Sequence, residues 1–302
     1  MAYRKRPGLR AQDLVFTLYG DYLLPRAEPV WAGSLVTLLG QLGMKPVAVR
    51  TTLSRMTARG WLSAERRRVR SYYGLTERGR RLLEEGSRRI YHPPRTGAWD
   101  GSWHLISYSI PESRRQRRDS LRDRLTWLGC GAVGPGLWIS PHDVRREVSE
   151  IAAVLRIAKY VEVFQGRHVS GSHESALTAR CWDLDALDRS YRAFLKRWLP
   201  LADHCAGCRG LGDPDARLSC QEPSACFVRR FTLVHEYREI ALRDPYLPRL
   251  LLPANWAGTE AAAVFERFHQ VLTVPAERYV REVCDAGEEG EHLDLHQLRA
   301  AV

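Results

Sequence analysis

The stretch Lys45-Pro-Val-Ala-Val-Arg-Thr-Thr-Leu-Ser-Arg-Met-Thr-Ala-Arg-Gly-Trp61 predicts an amphipathic helix. Pro46 suits a first helical position, where its missing N–H would be unpaired anyway. Apolar residues recur at Val49, Leu53 and Met56, which places them on one helix face. The other face carries groups that suit phosphates and base edges: Lys45, Val47, Arg50, Thr51, Ser54 and Arg55. We interpret it as a DNA-recognition helix. The alternative is an ordinary surface helix with a polar face.

The flanking segments favour the first interpretation. Helices are predicted over 10–22 and 31–42, and two short strands over about 62–66 and 70–75. Thr76 is placed to cap a following helix. Helix, helix, polar-faced helix and basic hairpin in this order predict a winged helix-turn-helix. The hairpin supplies further candidate DNA contacts: Arg66, Arg67, Arg68, Arg70 and Tyr72. For the arginine run, the alternative is a solvated hairpin tip.

The excess positive charge of the chain lies entirely in this first part. Residues 1–92 hold 18 Lys and Arg against 7 Asp and Glu, whereas the other 210 residues hold 28 of each. A basic surface confined to one region is typical of a polyanion partner, most often nucleic acid. A membrane surface is the rival partner, but it would require a basic amphipathic helix with a broad exposed apolar face.

Length and composition limit the remaining classes. A chain of 302 residues with 44% hydrophobic residues suggests two or three domains with real cores. Because no run of about 18 apolar residues occurs, a membrane span is not expected. No apolar stretch follows the basic N-terminus, so the expected location is cytoplasmic. Seven cysteines, an odd number, favour free thiols over disulfides.

The rest of the chain predicts two further domains, giving an α+β multidomain fold. Residues 98–182 alternate strands and helices in a β-α-β-β-α-β-like order, which predicts a central ferredoxin-like α/β sandwich behind the winged-helix domain of residues 1–92. Residues 183–302 carry amphipathic helices separated by a loop rich in Gly, Asp and Pro. They therefore predict a mainly helical C-terminal domain.

Several motifs in these two regions resemble one protein family. They are Trp103-x-Leu-Ile-x-Tyr-Ser-Ile-Pro-Glu112, Gly136-Leu-Trp-Ile-Ser-Pro141, His235-Glu-Tyr-Arg238, Asp244-Pro-x-Leu-Pro248 and Leu251-Leu-Pro-x-x-Trp-x-Gly258. They look like the signatures of the PaaX family, the transcriptional repressors of phenylacetic acid breakdown. With the first domain, the resemblance covers about residues 10–285.

The resemblance implies a partner and an effector. It suggests a homodimeric repressor that binds a double-stranded DNA operator and is released by an aryl-CoA thioester, chiefly phenylacetyl-CoA. The phosphates of such a ligand would suit cationic side chains, and its aryl group an aromatic one. The candidate contacts are Arg229, Arg230, His235, Arg238 and Trp256. The alternative is that His235 and Arg238 are packing and capping groups.

An enzyme is the competing class of function. The central domain of the family is similar in fold to small CRISPR-associated nucleases, which place an Asp at the end of the first strand to hold a metal. Here that strand ends Tyr108-Ser109-Ile110, so a dimerisation or sensing role is expected instead. A metal-independent nucleic-acid-binding or thioester-processing enzyme remains the alternative, although no Gly-x-Ser-x-Gly or His-Glu-x-x-His motif occurs. A third possibility is a chromosome-organising protein without an effector pocket.

Four cysteines follow a spacing that suits a metal. Cys205, Cys208, Cys220 and Cys226 form C-x2-C-x11-C-x5-C. Four thiolates in this order would suit a tetrahedral structural zinc that staples the surrounding loop. Unligated thiols are the alternative. The proposed regulator requires no other cofactor.

Overall fold

The computed structural model describes residues 11–26, 28–92, 99–169, 171, 173–206 and 222–299, with side chains of the helices at 184–206 and 258–299 described as far as 201 and 286. The protein is an α+β multidomain chain. Its α-helices are α1 Ala11–Leu18, α2 Ala32–Gly40, α3 Pro46–Ala58, α4 Glu77–Tyr91, α5 Arg115–Trp127, α6 Arg145–Val154, α7 Glu174–Cys181, α8 Leu184–Ala206, α9 Pro223–Ala241 and α10 Gly258–Arg299. Its strands are β1 Val30–Trp31, β2 Leu62–Arg67, β3 Arg70–Leu75, β4 Trp103–Tyr108, β5 Gly131–Gly134, β6 Leu137–Ser140 and β7 Val161–Gly166.

The described residues fall into two compact units. The first unit takes its residues from 1–92, 194–238 and 262–302, and the second from 93–193 and 239–261. The C-terminal part of the chain is therefore shared between the two units. The expected boundaries at 1–92, 98–182 and 183–302 stay a prediction.

Helix α3 lies in the first unit with the apolar stripe that its sequence predicts. Val49, Leu53 and Met56 are each fully buried. They join side chains of α1 and α2 and, from α9, Phe227 and Phe231 in one core. Because the buried stripe uses only every third or fourth residue, the other face of α3 is left to solvent.

A three-stranded antiparallel sheet in the order β1-β3-β2 combines β1, which precedes α2, with the two strands that follow α3. Strands β2 and β3 pair from Leu62↔Leu75 to Arg67↔Arg70, which makes a hairpin with a two-residue turn. Thr76 caps α4 as expected, since its hydroxyl oxygen accepts a hydrogen bond from the Gly79 N–H at 3.1 Å.

The second unit is built around a four-stranded antiparallel sheet in the order β5-β6-β4-β7. The register sets Ile106 of β4 beside Trp138 of β6 and Val163 of β7. This row packs with apolar residues of α5 and α6, including Leu121 and Val148, in a second core. The apolar side chains of α5 and α6 thus cover one face of the sheet.

Several helix boundaries differ from the expected ones. Helix α1 ends at Leu18, and the chain continues as a π-helix over Tyr19–Leu23. Helix α8 continues past Pro200, and Pro275 lies inside α10. A proline removes one main-chain hydrogen bond, but burial of an amphipathic face supplies enough stabilisation for a helix to continue. None of the helices in the described ranges is long and apolar enough to cross a membrane.

Candidate nucleic-acid interface

The polar face of α3 is exposed to solvent. Lys45, Arg50, Thr51, Ser54 and Arg55 are all exposed. Val47, on the same face, is 73% exposed, so its apolar side chain is available for contact. The face therefore combines guanidinium groups, hydroxyls and one apolar contact, the set that contacts phosphates, base edges and thymine methyl groups.

The hairpin between β2 and β3 presents a second cationic surface. Arg66, Arg67 and Arg68 are exposed, and Val69 at the tip is 83% exposed. Arg68 has a φ of 53°, and its carbonyl accepts a hydrogen bond from Arg66 Nε at 3.2 Å. Because left-handed backbone is uncommon outside glycine, this turn holds a specific shape at some conformational cost.

Tyr72 differs from the other candidates of the hairpin. Its side chain is only 2% exposed, so its ring belongs to the interior and not to the solvent-facing surface. The guanidinium of Arg67 lies over this ring, 4.7 Å from its centroid. Arg67 also donates hydrogen bonds to Glu65 at 2.8 and 3.4 Å, which lower the pKa of that exposed carboxyl. The Tyr72 ring therefore supports the Arg67 guanidinium, and Tyr72 is not itself an exposed contact residue.

Three of the four effector candidates on α9 contact the first helical segment. Arg238 donates from Nη1 to the Asp13 carbonyl at 3.0 Å and to Thr17 Oγ1 at 2.7 Å. His235 Nδ1 lies 2.8 Å from the same Thr17 oxygen. One turn further along the first segment, Arg230 contacts Asp21. We call this set the polar seam: Asp13, Thr17 and Asp21 on one side and Arg238, His235 and Arg230 on the other.

The Asp21 end of the polar seam is a buried charge cluster. The Asp21 carboxylate accepts hydrogen bonds from Arg230 Nη2 at 3.1 Å and from the Tyr91 hydroxyl at 2.7 Å. His269 Nε2 lies 3.5 Å from the same oxygen. Burial alone would raise the pKa of Asp21, but the Arg230 charge and the hydrogen bonds from His269 and Tyr91 together lower it below its usual value. The pair is therefore ionised in the folded protein.

The pKa of the polar-seam histidine is also lowered, but for a histidine this favours the neutral form. His235 is 1% exposed, and its Nε2 has no hydrogen-bond partner among the described residues. Burial, with a smaller effect of the neighbouring Arg238 charge, lowers the pKa of His235 from 6.5 to about 4. The ring is therefore neutral near pH 7.

The two remaining effector candidates are placed differently. Arg229 is exposed, on α9. Trp256 is 8% exposed and belongs to the second unit, where its ring packs edge-on against Tyr191 with centroids 5.6 Å apart. The structure thus brings Arg230, His235 and Arg238 together along α9, whereas Trp256 belongs to the other unit.

The expected zinc ligands fall mostly outside the described residues. Cys208 and Cys220 lie outside the described residues, and so does the side chain of Cys205. Cys226 is a buried residue of α9. The side chains that are described contain no group of three or more His, Cys, Asp or Glu able to hold a metal ion. The zinc site stays a prediction.

Sequence reasoning missed the partners of the polar seam. Asp13, Thr17 and Asp21 recur every four residues, so they share one face of a helix, and this spacing was the available signal. Tyr91 and His269 gave no such signal. Each is a single residue of a separate helix, so no spacing in the sequence links it to Asp21.

Comparison with known proteins places these features in a family. Three family models match consecutive parts of the chain: PaaX-like protein over residues 10–79, PaaX protein central Cas2-like domain over 96–178, and PaaX-like protein C-terminal domain over 182–282. The transcriptional repressor PaaX of Escherichia coli (strain K12) is 33% identical over 276 residues, which is 89% of this chain and 83% of that protein.

A solved structure extends the likeness to the fold. The uncharacterized protein Rv0674 from Mycobacterium tuberculosis superposes with a TM-score of 0.55, covering 89% of this chain and 97% of that one, at 22% identity. At this identity the similarity concerns the fold alone. The identity to the E. coli protein and the three matched segments together establish that this chain belongs to the PaaX family.

Proposed function

We propose that this chain is a transcriptional repressor that binds operator DNA through α3 and the β2–β3 hairpin. The observation that carries the proposal is the exposed polar face of α3, with Arg50 and Arg55 beside Val47. The excess charge of residues 1–92 supports it, because phosphate neutralisation supplies much of the affinity of DNA-binding proteins. The name of the E. coli relative supports the sign of regulation.

The proposal includes the finer architecture of both units. Helices α2 and α3 with the following hairpin fit a winged helix-turn-helix, in which α3 enters the major groove. The strand order β5-β6-β4-β7, with α5 after β4 and α6 after β6, fits a ferredoxin-like sandwich. In this arrangement the central domain would join two protomers, and each would bind one half-site.

We further propose that an aryl-CoA thioester relieves repression by acting on the polar seam. Arg230, His235 and Arg238 already bind the segment containing Asp13, Thr17 and Asp21. A ligand that engaged these side chains of α9 would have to displace that segment. Helix α1 in turn packs against α3, and Arg59 Nη1 donates to Gln12 at 2.8 Å. Displacement would therefore move the proposed DNA-contacting helix.

The experiment that tests the function is selection of duplexes from a random pool by the full-length protein. The selected sequence is then measured by fluorescence anisotropy, with an unrelated duplex as competitor. A repressor of this type selects a sequence with two half-sites about one helical turn apart and prefers it to the competitor by about 10³-fold or more. Equal affinity for both duplexes would instead support the chromosome-organising alternative.

The effector is tested on the same complex. Phenylacetyl-CoA should release the selected duplex, whereas free CoA and phenylacetate should leave it bound. Turnover of the thioester, detected as released thiol, would support the enzyme alternative. Release by none of the three compounds would refute the effector part and leave DNA binding standing.

A further inference from the structure

The hairpin arginines rest on a row of aromatic rings on one face of the three-stranded sheet. The register pairs Trp31 of β1 with Tyr72 of β3, and Arg70 of β3 with Arg67 of β2. Cross-strand partners lie on the same face, and so do residues two apart on one strand. All four side chains therefore share a face, with the two rings next to the two guanidinium groups.

Each guanidinium lies over one of these rings. Arg67 lies over Tyr72, and Arg70 lies over Trp31, both 4.7 Å from the ring centroid. A cation within about 6 Å of an aromatic face is attracted by the ring, and Trp is the strongest partner. An arginine held flat on a ring also has fewer rotamers to lose when it meets a ligand.

The ring of Trp31 packs against the backbone of Gly33. Gly33, in the first turn of α2, lies so close that an added Cβ would overlap the far edge of the indole, at Cη2, Cζ2 and Cζ3. Gly33 has no positive φ, so its backbone does not require glycine. What requires glycine here is the indole, which fills the space where a Cβ would stand.

We propose that Trp31 is a positioning residue for DNA binding: its ring, packed against the Gly33 backbone, holds the Arg70 guanidinium towards a phosphate of the bound duplex. This inference rests on the proposed DNA-binding function. Trp31 is half-buried and sits beneath the arginine, so it acts through Arg70 and not by contacting DNA itself. Tyr72 supports Arg67 in the same manner, with Glu65 as an additional anchor.

Gly33→Ala gives the sharpest test, because it displaces the ring without removing it. Alanine is favoured over glycine in a helix, which offsets part of the cost of moving the ring, so the variant should still fold, and its thermal unfolding is measured beside that of the wild type. Gly40→Ala is the matched control, since Gly40 ends the same helix and an added Cβ meets nothing within 4 Å. The full-length variants are measured by fluorescence anisotropy on the duplex selected by the wild type, over a series of salt concentrations.

Gly33→Ala and Trp31→Leu should each weaken binding by about threefold to tenfold, the cost of immobilising one long side chain on binding. Gly40→Ala should change nothing, and Trp31→Phe should restore most of the loss. Arg70→Ala should reduce the salt dependence by about one phosphate contact, and so should Trp31→Leu. In the double variant Trp31→Leu/Arg70→Ala the losses should not add, because both remove the same contact.

A second readout needs no DNA. In the wild-type protein with labelled arginine, the Nε–H signal of Arg70, assigned with Arg70→Ala, should carry a ring-current shift that Gly33→Ala removes. If this shift is absent, or if the two losses add in the double variant, the positioning role is refuted while DNA binding stands. If the wild type binds no duplex yet the ring-current shift is present, the proposed function fails and the Trp31–Arg70 contact is structural only.

Discussion

Arg230 Nη2 lies 3.1 Å from Asp21 Oδ1, and both side chains are only 3% exposed. The two residues are 209 positions apart in the chain. Their contact joins α9 to the π-helix that continues α1, in the same unit as α3. A π-helical turn is rare and occurs often at functional sites, so its coincidence with a buried ion pair marks this point as specialised.

Breaking this pair on one side should be costly. Asp21→Asn keeps the shape of the side chain but leaves the Arg230 charge buried without its counter-charge, and we expect a loss of about 3–5 kcal/mol in the free energy of unfolding. Urea denaturation followed by circular dichroism measures it. Glu77→Gln breaks the exposed Arg81–Glu77 pair, with side chains 72% and 69% exposed, and should cost less than about 1 kcal/mol.

The double variant Asp21→Leu/Arg230→Met tests the reason for that cost. It removes both charges together. Its loss of stability should therefore be smaller than the sum of the losses for Asp21→Leu and Arg230→Met measured separately. An Asp21→Asn protein as stable as the wild type would show that the carboxylate contributes nothing to the folded state.

His235 should make stability depend on pH in mildly acidic solution. Its folded pKa of about 4 is below the usual 6.5, so between these values the unfolded chain binds a proton that the folded protein does not. Stability is therefore fully present above about pH 6.5 and falls as the pH drops towards 4, by at most about 3 kcal/mol.

Thermal unfolding between pH 4 and 7 measures this slope. His235→Gln should flatten it, whereas His92→Gln should not, because His92 is exposed. Buried carboxylates such as Asp21 add a slope of the same sign as the pH falls further, so the comparison is made between variants and not on the wild type alone. Equal slopes in all three proteins would contradict the buried neutral ring.

Arginines on the polar face of α3 should carry specificity. Arg50→Ala and Arg55→Ala should each weaken binding to the selected duplex by about 1–3 kcal/mol, if each contacts a base, with a much smaller loss on unrelated DNA. Arg124→Ala is the control, since it removes an exposed helical arginine from the second unit. Losses of the same size on both duplexes would reassign the two arginines to phosphate contacts.

Two glycines of α4 should respond oppositely to alanine. At Gly79 an added Cβ would overlap the Trp61 backbone carbonyl. This overlap is with the main chain, so rotation of a side chain cannot relieve it. We expect Gly79→Ala to destabilise the protein by about 1–3 kcal/mol, the usual cost of overpacking. At Gly86 a Cβ meets nothing within 4 Å, so Gly86→Ala should stabilise the helix by up to about 1 kcal/mol. In urea denaturation, the midpoint of Gly79→Ala should lie below that of the wild type and the midpoint of Gly86→Ala above it.

The sequence by itself determined the local elements of this protein. The spacing of Val49, Leu53 and Met56 predicts which face of α3 is buried, and the structure confirms it, because a helical period needs no knowledge of the partner. The hairpin strands and the Thr76 cap were predictable for the same reason: each depends on residues within a few positions.

Only the tertiary structure decided what those elements pack against. The four-residue spacing of Asp13, Thr17 and Asp21 marks a polar face, but nothing local indicates that Arg230, His235 and Arg238 bind it. Likewise, the need for glycine at position 33 comes from an indole ring and not from the backbone. Periodicity encodes burial, whereas the choice of partner depends on contacts between distant segments, which form only when the chain has folded.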